Sequence, residues 1–216
     1  MLGILCGLES EKRIASHIRG AIVACAAARP HKARDLAREL VAMGATRLMS
    51  FGIAGSLDSS VHLGDIFIGT RVASAKSQWL CHEQWGRELA NKIPQAKRGG
   101  VFGSETLIAT IEEKDELFRG TGCAIVDMET QCAAEVAAEE KIPLMVVRAV
   151  CDDSVMNVPA FVLAAVAENG SVSAIRALAH LALHPHQTAD LFKVMRGTRK
   201  ALKSLSAITG ALGQSA

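Results

Sequence analysis

CAIVDMETQCAAEVAAEEKIPLMVVRAVCD, residues 123–152, is the stretch whose reading decides the fold. Cys123 to Met128 reads as a buried strand, and Glu129 to Glu140 as an Ala-rich helix ended by Ile142-Pro143. Leu144 to Cys151 is then a continuous apolar strand broken only by Arg148. Such runs, apolar on both faces and alternating with helices, belong to a sheet under helical cover. Ligands collect at the carboxyl ends of strands in open α/β sheets, so Glu129 and Asp152, each at a strand end, take a functional reading first. Arg148 needs a buried carboxylate partner, and Asp127 is the candidate.

Outward from this stretch the alternation continues. Leu2 to Gly7 is a short apolar run opening into a helix-like segment, Glu9 to Arg19. Ala21 to Ala27 is a second run, stopped at Pro30, and residues 32–43 carry apolar side chains at helical period before Gly44. Arg47 to Ile53 reads as a strand ending in a Gly-rich turn, Gly52-Ile-Ala-Gly55, and Asp65 to Val72 as another strand. The polar stretch from Ala75 to Gly99 holds Trp79 and Trp85 and predicts a long loop with one short helix. The two tryptophans form either an apolar lip over a large substrate or an anchor for that loop. Thr110 to Phe118 reads as a charged helix, and after Asp153 the chain is expected to be almost entirely helical. The expected fold is a single α/β domain over residues 1–216. Its core is a central mixed, mostly parallel twisted sheet covered by helices, with a helical C-terminal extension.

Residues 185–216 form a basic amphipathic tail in this reading. Lys193, Arg196, Lys200 and Lys203 share one face, and Leu191, Met195, Leu202 and Leu205 line another. Packing of the apolar face on its own domain is the favoured expectation, with contact to an anionic membrane surface as the alternative.

Charge and cysteine usage exclude several classes. Lys plus Arg (24) nearly cancel Asp plus Glu (22), which leaves no nucleic-acid footprint for the chain as a whole. The six cysteines, at 6, 25, 81, 123, 132 and 151, have no CxxC spacing and read as buried thiols. The N-terminal apolar run meets Glu9 and Glu11 at once and lacks a basic n-region; the apolar stretch at 158–167 is too short to span a bilayer. A cytoplasmic location is expected. The histidines show no ligand spacing, with His184-Pro-His186 read as a turn, so neither a metal nor a redox cofactor is expected.

Four motifs in order, Gly52-Ile-Ala-Gly55, Gly64-Asp65, Val126-Asp-Met-Glu129 and Val146-Val-Arg-Ala-Val-Cys-Asp152, carry a resemblance. Over roughly Leu2 to Asp153 the chain resembles the nucleoside phosphorylase and methylthioadenosine/adenosylhomocysteine nucleosidase superfamily. The short chain, the Gly52-to-Leu57 segment and the basic C-terminal extension look most like its hopanoid-associated phosphorylases, which are thought to remove adenine from adenosylhopane. The resemblance implies cleavage of the N-glycosidic bond of a purine nucleoside by a homodimer. It makes Asp152 the acid facing purine N7, Glu129 the acceptor for the ribose hydroxyls, and Met128 the residue packed on the ribose. Glu11 would activate a water, Leu107 and Ile108 would sandwich the purine, and the backbone at Ala54 and Gly55 would approach the ligand. Arg29 is the candidate phosphate donor.

The chemistry agrees with these residue types. Departure of a base from a sugar carbon passes through an oxocarbenium-like state, and the base leaves well only when protonated. Asp152, at the end of an apolar strand, is expected in surroundings that help it keep a proton. A carboxylate such as Glu129 offers two acceptors to a vicinal diol. Ile53 stands where many relatives place Ser or Thr, and Ala24 to Pro30 replaces a Gly-rich turn. Those departures leave the attacking group open, inorganic phosphate as co-substrate or water. The substrate is a separate open choice, a small or a lipid-linked nucleoside. A general small-nucleoside nucleosidase or phosphorylase is the first alternative, and a non-catalytic nucleoside-binding module the second.

Overall fold

The structure is a computed structural model and describes residues 1–159, 166–167, 169–171 and 188–213, side chains of 188–191 excepted. The expectations for His180, His184, His186, the Leu191 side chain, most of 158–167 and both ends of the 185–216 tail lie outside the described residues.

In chain order the elements are β1 (Leu2–Cys6), α1 (Glu9–Ala15), β2 (Ala21–Cys25), α2 (Pro30–Ala42), β3 (Arg47–Ser56), β4 (Ile66–Ala73) and β5 (Gln78–Leu80). There follow α3 (Glu83–Lys92), β6 (Lys97–Gly103), α4 (Ile111–Thr121), β7 (Cys123–Asp127), α5 (Thr130–Glu139), β8 (Leu144–Asp152) and a final helix, α6 (Thr188–Leu212). The expected mixed, mostly parallel sheet is present. Parallel pairings join β1 to β2 and β3, β3 to β8, and β6 to β4 and β7. Antiparallel pairings join β3 to β7, and β4 to β5 and β8.

Traced through these pairings, β3, β8, β4, β6 and β7 close into a ring from which β1 and β2 extend. Closure depends on the ten-residue β3. Residues 48–55 run along β8, and the last two, Gly55 and Ser56, also reach β7 at Val126 and Ile125. Gly52-Ile-Ala-Gly55 is therefore strand and not the expected turn. Strand β8 is enclosed in the ring, which is why Leu144 to Val150 are all buried.

Around the ring, helices cover the apolar faces. Seven of the ten α5 residues are buried, because alanines let the helix lie close to the sheet. A Cβ added at Gly103 would sit 2.5 Å from Gln131 Cβ, so glycine there is needed for α5 to dock on β6. Residues 75–99 depart most from the sequence expectation: they hold β5, α3 and the start of β6. Polar surface on α3 conceals its inward stripe of Trp85, Gly86 and Leu89. Trp85 is buried under the Arg47 guanidinium, 5.0 Å from the ring centre, and Trp79 lines a surface groove beside Ala134 and Lys141. Both are anchors, with no place in the cavity described below.

Helix α6 buries Gly197, Ala201, Leu205, Ile208 and Leu212 and packs on β8, with further contacts to α1 and β3. A Cβ at Gly197 would lie 1.9 Å from the Cys151 carbonyl oxygen. The expected apolar face is correct at Leu205 and wrong at Met195, which is 51% exposed beside Phe192 at 66%. The basic face is exposed as expected. Among the described residues no helix is long and apolar enough to cross a membrane.

Candidate functional site

Four buried acids line one cavity: Glu11 from α1, Asp127 and Glu129 from the β7–α5 junction, and Asp152 from the end of β8. Its walls are largely apolar, including Ile53, Leu107, Ile108, Val126 and Met128.

Strand β3 sets the frame. Gly55 is in register with both Val126 of β7 and Asp152 of β8. A bulge lies there, since Ala54 pairs with Val150 and Gly55 with Asp152, leaving Cys151 as the extra residue. A bulge re-aims the side chain that follows it, and here that side chain is Asp152. Its oxygens lie over Gly55, 3.0 and 3.1 Å from where a Cβ would be. Any larger residue at 55 would displace the carboxylate.

Glu11 is only 1% exposed, although the sequence around it is charged. Its Oε2 accepts hydrogen bonds from the N–H groups of Gly7 and Leu8, and Oε1 accepts from that of Ile53, each at 2.8 Å. Burial pushes this carboxyl up, while Arg148 and the three N–H groups pull against that rise without cancelling it. Glu9 lies outside the cavity lining.

Arg148 lies beneath the acids at 0% exposure. Its Nε is 2.8 Å from Asp127 Oδ2, the pair expected from sequence, and its Nη2 is 3.7 Å from Glu129 Oε2. Nη2 also donates to Ser50 Oγ at 2.5 Å and to Thr130 Oγ1 at 3.0 Å. Asp127 has a second task. Its Oδ1 accepts from the N–H groups of Glu129 and Thr130, at 3.0 and 2.8 Å, fixing the start of α5. Glu129 is thereby held at a helix start, with one oxygen against Gly7, where a Cβ would come within 2.6 Å. Burial pushes Glu129 up to about 8, with Arg148 opposing and Asp127 and Glu11 adding to the rise.

Glycine at 52 is required by the same packing. A Cβ there would lie 2.4 Å from Arg148 Nη1 and 2.6 Å from Glu11 Oε1. Neither partner has free space, since both are buried. Gly52→Ala is expected to lower stability by about 1–3 kcal/mol and to displace Glu11. Urea unfolding of the variant beside the parent measures the loss, and an unchanged midpoint would contradict the packing argument.

The structure brings together nearly all of the expected site residues. Glu11, Ala54, Gly55, Leu107, Ile108, Met128, Glu129 and Asp152 line the cavity. Leu107 and Ile108 do so from the loop after β6. Arg29 is the exception. It precedes α2 at the N-cap position and is not among the cavity-lining residues.

Sequence reading missed Lys114. This lysine of α4 is fully buried, and its Nζ is paired with Asp152 Oδ2. It also donates to the carbonyls of Asp153 at 2.9 Å and Met156 at 3.0 Å. The lone acid in apolar surroundings that the sequence led us to expect is therefore an acid against an ammonium group. Cys151 Sγ donates to Asp152 Oδ1 at 3.2 Å, and burial pushes that thiol up. A signal for Lys114 existed: with Ile111, Leu117 and Phe118 at offsets of three and four, it sits on the apolar face of α4.

A mixed, mostly parallel sheet under helical cover, with this cavity at its strand ends, is a nucleoside phosphorylase/nucleosidase fold. The chain belongs to the phosphorylase superfamily, whose family model matches residues 21–183. Among solved structures it is similar to the futalosine hydrolase of Helicobacter pylori strain 26695, at 14% identity and a TM-score of 0.74, covering 98% of this chain and 96% of that one. It is also similar to the S-adenosylhomocysteine nucleosidase of Streptococcus pyogenes in complex with 5-methylthiotubericidin, at 13% identity and a TM-score of 0.75 over 100% and 97% of the two chains. The 5′-methylthioadenosine/S-adenosylhomocysteine nucleosidase of Neisseria meningitidis gives 11% identity and a TM-score of 0.75, with 98% of each chain covered. Identities this low establish the shared fold. A search of curated protein sequences finds no match.

Proposed function

We propose that the cavity binds an adenine nucleoside and cleaves its N-glycosidic bond with water as the nucleophile. The observation that carries this reading is the convergence of Glu11, Glu129 and Asp152 on one apolar cavity. Asp152 gives a proton to N7 as the C1′–N bond breaks and its electrons pass to the base. Glu129 holds the ribose 2′ and 3′ hydroxyls through its two carboxyl oxygens. Glu11 takes a proton from water as the water oxygen bonds to C1′, giving free adenine and a reducing sugar. The upward push on Glu11 suits a base working near neutral pH. Met128, Leu107 and Ile108 pack on the sugar and base.

Water is favoured over phosphate by the local electrostatics. The Gly7, Leu8 and Ile53 N–H groups, which an anion would use, are already taken by Glu11. Among the described residues the cavity is lined by acids and by no Lys or Arg. A phosphate dianion would find no cationic side chain among them.

The reading extends to the 5′ substituent. Val158, Val166 and Val194 add apolar surface to the cavity, and exposed Phe192 and Met195 lie on α6 with the exposed Lys193 and Arg196. This combination suits a nucleoside with a large apolar 5′ group, adenosylhopane being the substrate favoured, and a helix resting on an anionic membrane surface.

Adenine release from a panel of 5′-modified adenosines, with and without phosphate, tests all of this. Release independent of phosphate and fastest with bulky apolar 5′ groups is the expected result. A requirement for phosphate, with sugar 1-phosphate formed, overturns the choice of water. Preference for methylthioadenosine overturns the lipid-linked substrate, and adenosine binding without base release from any member overturns the enzyme reading.

A further inference from the structure

Lys114 is the one buried ammonium among the described residues, and the proposed reaction gives it no part. Lysine is almost never fully buried without paired charge and filled hydrogen bonds. Here all three donors are used, by Asp152 Oδ2 and by the carbonyls of Asp153 and Met156. Such a tripod fixes the ammonium in direction as well as position.

The groups it holds belong to one corner of the cavity. The loop after β8 is tied to the start of α4 at two further points. Ile111 N–H donates to Asn157 Oδ1 at 2.9 Å, Val158 N–H donates to the Ala109 carbonyl at 2.8 Å, and the Thr110 N-cap with Glu113 closes the first turn of α4. Val158 on one side of this clasp and Leu107 and Ile108 on the other line the cavity. One side chain thus connects the acid to the two loops that wall it. Asp152 has one oxygen committed to Lys114 and keeps the other, held only by the Cys151 thiol, for a ligand.

A carboxylate at the cavity surface couples the lysine to the site as well as to the fold. Breaking a buried pair is costly, and replacing one by apolar groups is often neutral or stabilising. The pairing is explained if the orientation of Asp152 is what it secures. We propose that Lys114 is a positioning residue, which orients the Asp152 carboxyl toward the bound base and locks the 104–110 and 153–158 loops around it. The proposal rests on the reading of the cavity as a base-releasing site.

The test is a double-mutant cycle between Lys114→Met and Asp152→Asn, read as adenine release, with thermal melting to confirm folding. Met keeps the aliphatic stem and removes the charge and donors. Misplacing a reacting group lowers rate on the order of 10²-fold, so Lys114→Met should lower kcat by about that factor with a much smaller change in KM. In the Asp152→Asn background the same change should cost little more, because groups acting as a unit are not additive. Lys114→Arg, which keeps a cation, should recover part of kcat.

Unchanged kcat in Lys114→Met overturns the proposal. So does an equal loss in both backgrounds, the result expected of a lysine that serves folding alone. If Lys114→Met does not fold, Lys114→Gln, which keeps one donor, takes its place under the same two outcomes. Failure of the underlying reading looks different: the parent enzyme itself would then release no base.

Discussion

Replacing Arg148 with Met is expected to destabilise the protein by about 3–5 kcal/mol, the range for removing one partner of a buried ionic network. The guanidinium is wholly enclosed and faces Asp127, Glu129 and Glu11, which are themselves buried. Met fills the stem's volume, but the Asp127 Oδ2 partner is lost, and Ser50 and Thr130 lose a donor. The loss should depend on pH. Glu129 is pushed up from 4.5 to about 8 in the folded chain. A carboxyl with a raised folded value contributes stability that is full below its unfolded value and lost as pH rises through the folded one. For Glu129 that window runs from about 4.5 to about 8. Arg148 limits the rise in Glu129 and Glu11, so its removal drives both further up and prolongs the decline. Urea unfolding at acid and at mildly alkaline pH should therefore show a smaller penalty at the acid end. A penalty that is constant or greater in acid would show that packing, and not charge, holds Arg148 in place.

Asp152→Asn is expected to lower adenine release by about 10²–10⁴-fold, the usual worth of a general acid. The variant should fold, because the Asn side-chain oxygen still accepts from Lys114 and its NH2 group takes the place beside the Cys151 sulfur, a weak acceptor. Nucleoside binding should persist, since Glu129, Met128 and the apolar walls are untouched. Calorimetric titration with adenosine beside the release assay separates the two effects. Release at the parent rate would remove Asp152 from the role of acid. Loss of binding with loss of release would make it a binding group.

Much of the site was legible because the acids sit where strands end. Glu129 and Asp152 follow runs so apolar that a charge at their end stands out, and Arg148 within β8 correctly called for Asp127. Glu11 was less distinct, since in sequence it is one charge in a cluster of Glu, Ser, Lys and Arg. Only the Gly7, Leu8 and Ile53 N–H groups mark it as the inward member. Lys114 was hidden in the same way, by a helix whose other charges face outward. Residues 75–99 misled because α3 shows the sequence a polar surface while burying Trp85 and Leu89.

By itself the sequence determined the alternation of strands and helices, a sheet under helical cover, and which acids stand at strand ends, because burial and periodicity are local properties. The tertiary structure decided what those acids face. Closure of the ring through Gly55, the bulge at Cys151 and the approach of α4 join segments far apart in the chain. The environment of a charge depends on those neighbours and not on its place in the sequence, so Asp152 meets Lys114 and Glu11 replaces an anion at three backbone N–H groups.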